Sequence, residues 1–170
     1  MVHVICIPWV GVLDFIADAM LGKLARWLRM LGQNVTYYRH FDDKTLMDLA
    51  KVGNRVLLTR DLKLYQQTLS KGIPAFFVDV KDDAHKLAVL AKKFGFKLQI
   101  DMNVSRCPKC NCDLVSVSKG TLENQIPKET FTYYDDFWQC NGCSQVYWQG
   151  AHWNSIQTAL EEANSKLNLL

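Results

Sequence analysis

The sequence predicts an α/β protein in which a parallel sheet flanked by helices is followed by a small module held by four cysteines. Three observations carry this. Short β-branched or aromatic runs alternate with amphipathic helical patterns up to about Ile100. Two C-x-x-C pairs, Cys107/Cys110 and Cys140/Cys143, then interrupt the alternation. The charge changes at the same place: residues 1–100 carry 15 Lys+Arg against 9 Asp+Glu, and residues 101–170 carry 5 against 8. The predicted organisation is a sheet domain over 1–101, a cysteine module over 102–153 and a C-terminal helix over 154–170.

The elements follow in order. A first strand is predicted at VLDFIA, ending at Asp18. In the next stretch, Leu21, Leu24, Leu28 and Leu31 recur at helical spacing, Lys23, Arg26 and Arg29 fall on another face, and Gly32 supplies a stop. A strand at NVTYY leads to a helix from Asp43 through Leu46, Leu49 and Ala50 to Gly53. RVLLT is the third strand, and the helix after it runs from Leu62 to Ser70, closed by Gly72. IPAFFV is the fourth strand. A helix capped by Asp82 or Asp83 carries Leu87, Leu90 and Ala91 before Gly95. The cysteine-rich region shows turn residues and no helical period. From Asn154 to Leu170 a polar amphipathic pattern with Ile156, Ala159, Leu160 and Ala163 predicts a helix that packs as a cap.

Composition excludes several classes. A chain that is 49% hydrophobic and 22% charged folds rather than staying disordered. The first 22 residues hold no Lys or Arg but do hold Pro8, Asp14 and Asp18, which is not an export signal. No window resembles a membrane span, so a soluble, cytoplasmic protein is expected. The formal charge of +3 names no partner, although a basic first part suits a polyanion.

Two C-x-x-C pairs can present four thiolates tetrahedrally to Zn²⁺. A disulfide pair would need an oxidising compartment, and a thioredoxin-like motif would need only one pair beside a βαβ unit. The 29 residues between Cys110 and Cys140 exceed the usual gap, so an inserted hairpin or loop is expected. Cys112 is a poorer ligand choice than Cys110, and Cys6 reads as a small apolar residue. A closed four-thiolate site stabilises a fold and leaves no position for chemistry.

Chemistry is therefore sought at the carboxyl ends of the strands, where open parallel sheets bind ligands. Asp18, Asp42 and Asp43, Asp61 and Asp79 follow the four predicted strands in turn. Carboxylates gathered on one edge repel unless cations sit among them, and Mg²⁺ or Mn²⁺ suits such oxygens while leaving room for phosphate. Two such ions about 4 Å apart can activate water against a phosphodiester. The competing explanation is that acids such as Asp43 and Asp61 only cap helices.

DAMLGKLARWLRMLG, the DD before a helix, RVLLTRD, and RCPKCN with DDFWQCNGCSQVYWQGAHW together resemble the Mut-seven C-terminal RNase family, a PIN-like domain fused to a zinc ribbon. The resemblance spans about Phe15 to Trp153. It implies Mg²⁺- or Mn²⁺-dependent cleavage of RNA by acids falling on Asp18, on Asp42 and Asp43 with Asp43 preferred, and on Asp61 beside Thr59 and Arg60. It also implies a structural Zn²⁺ on Cys107, Cys110, Cys140 and Cys143. Asp79 matches the pattern less firmly, while MVHVICIPWVGVL and Cys112 are additional to it.

Lys23, Arg26 and Arg60 are the expected phosphate contacts, and the ribbon is expected to orient RNA or bind a protein partner. His152 would contact substrate, serve as a proton donor or pack beside Trp153. Trp138, Tyr147, Trp148 and Trp153 would stack bases or form the ribbon's core. The rival function is a non-catalytic RNA- or ribosome-associated binding protein. A phosphoryl-receiver domain fits less well, because it pairs its acids after the first strand and not the second.

Overall fold

In a computed structural model, the structure describes residues 14–123 and 125–170. Val12 and Leu13 of the predicted first strand, and Cys6, lie outside the described residues. The sheet has four parallel strands, β1 (Asp14–Ala17), β2 (Asn34–Tyr37), β3 (Val56–Thr59) and β4 (Ala75–Phe77), in the order β2-β1-β3-β4. Helices α1 (Gly22–Met30), α2 (Asp43–Val52) and α3 (Leu62–Ser70) make the three crossovers that parallel neighbours require, and α4 (Asp83–Phe94) follows the last strand. The predicted α/β class is therefore found.

Alternation along the strands sorts the core into two faces. Phe15, Ala17, Val35, Val56 and Leu58 pack with Leu24 and Leu28 of α1 and with Leu87 and Leu90 of α4. Ile16 and Leu57 point the other way, onto Leu46, Met47 and Ala50 of α2 and Leu64 of α3. Because both faces are covered, β3 is buried along its whole length and reads as an unbroken apolar run. The fully buried Leu28, Leu57 and Leu58 each contribute about 2 kcal/mol by leaving water.

The cysteine module is a three-stranded antiparallel sheet, β5 (Leu114–Val117), β6 (Phe137–Cys140) and β7 (Val146–Tyr147). The expected insertion lies between β5 and β6. It contains a 3₁₀ turn and a short helix, α5 (Lys128–Tyr133), which the sequence reading missed because six residues are too few to show a period.

The chain then returns to the sheet. Helix α6 (Trp153–Leu167) sets Leu160 and Ala163 into the core formed by α1 and α4, and the Asn164 amide donates to the Leu98 carbonyl at 3.0 Å. No helix among the described residues is long and apolar enough to cross a membrane.

Candidate active site and metal centre

The chain passes from β1 outward to β2 and back across to β3, so the carboxyl ends of β1 and β3 form the crevice where such sheets bind ligands. Ala17 pairs with Tyr37 on one side and Leu58 on the other. The next residues, Asp18, Tyr38 and Thr59, therefore stand level at that edge.

Asp18 is 5% exposed and held from three directions. Its Oδ1 accepts the Met20 N–H at 2.7 Å, capping a 3₁₀ turn over Ala19–Leu21. Its Oδ2 accepts the Arg60 N–H at 3.1 Å and the Thr59 hydroxyl. The same Thr59 oxygen accepts the Asp61 N–H at 2.9 Å. One buried hydroxyl thus connects Asp18 to the Asp61 backbone.

Asp61 caps α3 by accepting the Leu64 N–H at 3.0 Å, and Asp42 caps α2 by accepting the Thr45 N–H at 2.7 Å. That backbone bond holds the Asp42 carboxyl below its ordinary range. Asp42, and not Asp43, is the cap of α2; Asp43 is exposed in its first turn. Each cap engages one carboxylate oxygen, and the second oxygens of Asp42 and Asp61 accept no hydrogen bond among the described residues. Capping and cation ligation are therefore compatible at these positions. Asp79 is exposed two residues beyond β4.

Among the cations, Lys23 reaches Asp83 at 2.7 Å, Arg26 is exposed, and Arg60 is half-buried. Arg29 corrects the sequence reading. It does not share the solvent face of Lys23 and Arg26 but is 4% exposed. It sits four residues after Ala25, which itself follows Leu21 by four, so the apolar stripe of α1 already passed through its position. Gly22, at the start of α1, lies against Tyr37: a Cβ there would fall 2.6 Å from the Tyr37 hydroxyl.

The four ribbon cysteines come together as expected. Among the described residues, Cys107, Cys110, Cys140 and Cys143 are the one group of potential ligands whose donor atoms all lie within 4.8 Å of one another. Tetrahedral Zn²⁺ with sulfur at about 2.3 Å sets neighbouring sulfurs about 3.8 Å apart. The observed separations, 3.7 Å for Cys107–Cys143 and 3.3 Å for Cys110–Cys140, fit such an ion. Burial opposes ionisation of Cys107, but the Tyr147 hydroxyl at 3.1 Å and backbone N–H groups pull its thiol down to about 6. Cys112 is outside the group; its sulfur lies where a Cβ on Gly142 would be, 2.4 Å away.

The first cysteine turn docks on the sheet domain through Arg29. The guanidinium donates to the Val35 carbonyl at 2.8 and 3.0 Å and to the Pro108 carbonyl at 3.0 Å. Asn111 completes the contact, accepting the Val35 N–H at 3.1 Å and donating to Asn34 at 2.6 Å. Burial lowers the Arg29 guanidinium from its ordinary value, while the Cys107 and Cys110 thiols act against that shift. Four thiolates around a divalent ion would leave a charge of about −2, and that charge would lie beside this buried cation. These docking residues were not legible as functional. His152 is exposed at the start of α6, whereas Trp138 and Tyr147 pack against the cysteine core and Trp148 against the neighbouring cluster.

Comparisons with the curated proteins and with the solved structures return no match. A family model described as "Mut7-C RNAse domain" matches residues 13–160, which include the whole acid edge and all four cysteines. The chain thus belongs to the Mut7-C RNAse domain family, the one its motifs resemble.

Proposed function

We propose that the protein is a metal-dependent ribonuclease that hydrolyses RNA phosphodiester bonds at the carboxyl edge of the sheet. The observation that carries this reading is the Asp18–Thr59–Asp61 connection in the β1/β3 crevice. Asp18, Asp43 and Asp61, with Asp42 beside them, are the ligands of Mg²⁺ or Mn²⁺. The donor chemistry fits, because these ions take carboxylate oxygens, keep several waters and need only one or two protein carboxylates. When bound, such an ion supplies an activated water and neutralises phosphoryl charge.

The protein's own part is placement. Thr59 and the Arg60 N–H occupy Asp18 Oδ2 and fix the plane of its carboxylate, while Oδ1 keeps a lone pair beyond the Met20 bond. The oxygen of Asp61 that the Leu64 cap leaves free would hold the ion that supplies the attacking water. Arg26 and Arg60 contact flanking phosphates, as does Lys23 once it exchanges Asp83 for the polyanion.

Zn²⁺ on the four cysteines is structural. The ribbon meets the sheet at Asn34 and Val35, about 10 Å along β2 from the acid edge. Its contribution is to brace α1 and β2 and to offer a surface for a protein partner or for RNA beyond the cleaved segment.

Cleavage of labelled RNAs with Mn²⁺, compared between the unsubstituted chain and Asp18→Asn, tests the reading. Loss of about a hundredfold or more is expected, since even groups behind metal ligands are worth 10–100-fold. Equal cleavage by both proteins would sink it. The capping bonds of Asp18, Asp42 and Asp61 favour the rival, a non-catalytic RNA- or ribosome-associated protein. Mn²⁺ titration separates the two, because that protein would show no perturbation near Asp18.

A further inference from the structure

The acid edge carries a second surface that the carboxylates do not explain. Tyr38 directly follows β2, level with Asp18 in the register of β1 and β2. The residue is 57% exposed, yet its ring is held, meeting His40 edge-on at 5.9 Å and Phe41 at 5.1 Å. Phe41 packs on the α2-side core, which ties the cluster to the sheet.

Met20 and Leu62, from the connections after β1 and β3, are 67% and 53% exposed. Single exposed apolar residues need no explanation. Here three successive connections each expose a large one around the same crevice, and such a grouping marks an interaction site. Exposed cations stand in the same region: Arg39 in the Tyr38 loop, Lys44 on the first turn of α2 and Lys63 on that of α3.

An open aromatic face with apolar flanks and neighbouring cations suits an unpaired base together with its phosphates. We propose that Tyr38 stacks an unpaired base of single-stranded RNA beside the phosphodiester presented to Asp18, with Arg39, Lys44 and Lys63 on the adjoining phosphates. The inference rests on the ribonuclease reading of the acid edge and adds the substrate class. In a duplex each base is already covered by its neighbours, so only a single strand, loop or end can offer a face to Tyr38. The interspersed cations select RNA over an apolar protein surface as the occupant.

Binding of labelled single-stranded RNA and of blunt duplex RNA is measured in the Asp61→Asn protein, with Tyr38→Ala or Tyr38→Phe added. Because Tyr38 is exposed, both variants should keep the melting temperature. Tyr38→Ala is expected to weaken single-strand binding about tenfold, with Tyr38→Phe within about twofold of the parent and duplex affinity unaltered. The slope of log affinity against log salt should stay unchanged in Tyr38→Ala and fall by about one in Lys44→Ala.

Unchanged single-strand affinity in Tyr38→Ala overturns the proposal and leaves the patch to a protein, and an equal loss for duplex overturns it by showing an RNA contact that does not need an unpaired base. Mn²⁺-dependent cleavage is scored separately. A chain that cleaves nothing but binds RNA through Tyr38 removes the enzyme and keeps the platform.

Discussion

The sheet module and the cysteine module are stabilised by opposite means. The first buries Phe15, Leu28, Leu58, Leu87 and their neighbours between α1, α4 and α6, and a second cluster between the sheet and α2. Among the described residues the second module has two small clusters, one around Cys107, Leu114 and Cys140 and one around Leu122, Phe137 and Val146. A module of that size cannot offset its chain entropy by apolar burial alone and needs a staple. The difference teaches where a metal would matter: the ribbon would need one on its four cysteines, whereas the sheet has its own core and meets the ribbon through hydrogen bonds at Arg29, Met30, Asn34 and Val35.

The largest expected effect breaks that comparison at its weaker side. Cys140→Ser should abolish bound zinc and strip amide protection from β5, β6 and β7, while the β1 and β3 amides stay protected. Structural zinc sites of this type are worth about 10–16 kcal/mol in small peptides. Metal analysis and hydrogen exchange check it, and ribbon strands that stay protected without metal would remove the distinction.

A smaller effect tests how the modules are joined. Arg29→Ala leaves the Val35 and Pro108 carbonyls without their donor and should cost about 3 kcal/mol. Arg29→Lys should recover little, since an ammonium cannot span both carbonyls as the guanidinium fork does. Urea unfolding followed separately in each module decides the matter: a loss confined to one would mean that they fold independently.

The smallest effect concerns acid. Backbone N–H bonds from Thr45 and His85 hold the Asp42 and Asp82 carboxyls below their ordinary value. With the folded pKa depressed, their stabilising contribution is present above the unfolded pKa, about 3.9, and is lost as pH falls through the folded value. Asp42→Ala should therefore flatten the acid limb of stability against pH and leave the cysteine module unaffected.

Much of this was legible in the chain itself. The β-branched runs located all four sheet strands, and the acids after them stand at one edge, because a parallel strand always delivers its carboxyl end to the same side. The paired cysteines met as a tetrahedral set since a C-x-x-C turn fixes two sulfurs at once. Arg29 was harder, because its charge suggested solvent although its place in the stripe of α1 pointed inward. The return of α6 to α4 was hidden too; Leu160 and Ala163 show an apolar face but not which surface it meets.

Sequence by itself therefore determined the strands and helices of the sheet domain, their order, the cysteine set and the carboxylates at strand ends, all of which follow from local periodicity and short spacing, whereas β5 to β7 and α5 were too short to show a pattern. Tertiary structure decided which of them touch. The Thr59 bridge between Asp18 and Asp61, the Arg29 clamp on Pro108 and the exposed Tyr38 beside Asp18 join residues from separate strands and turns, and no local pattern encodes such contacts.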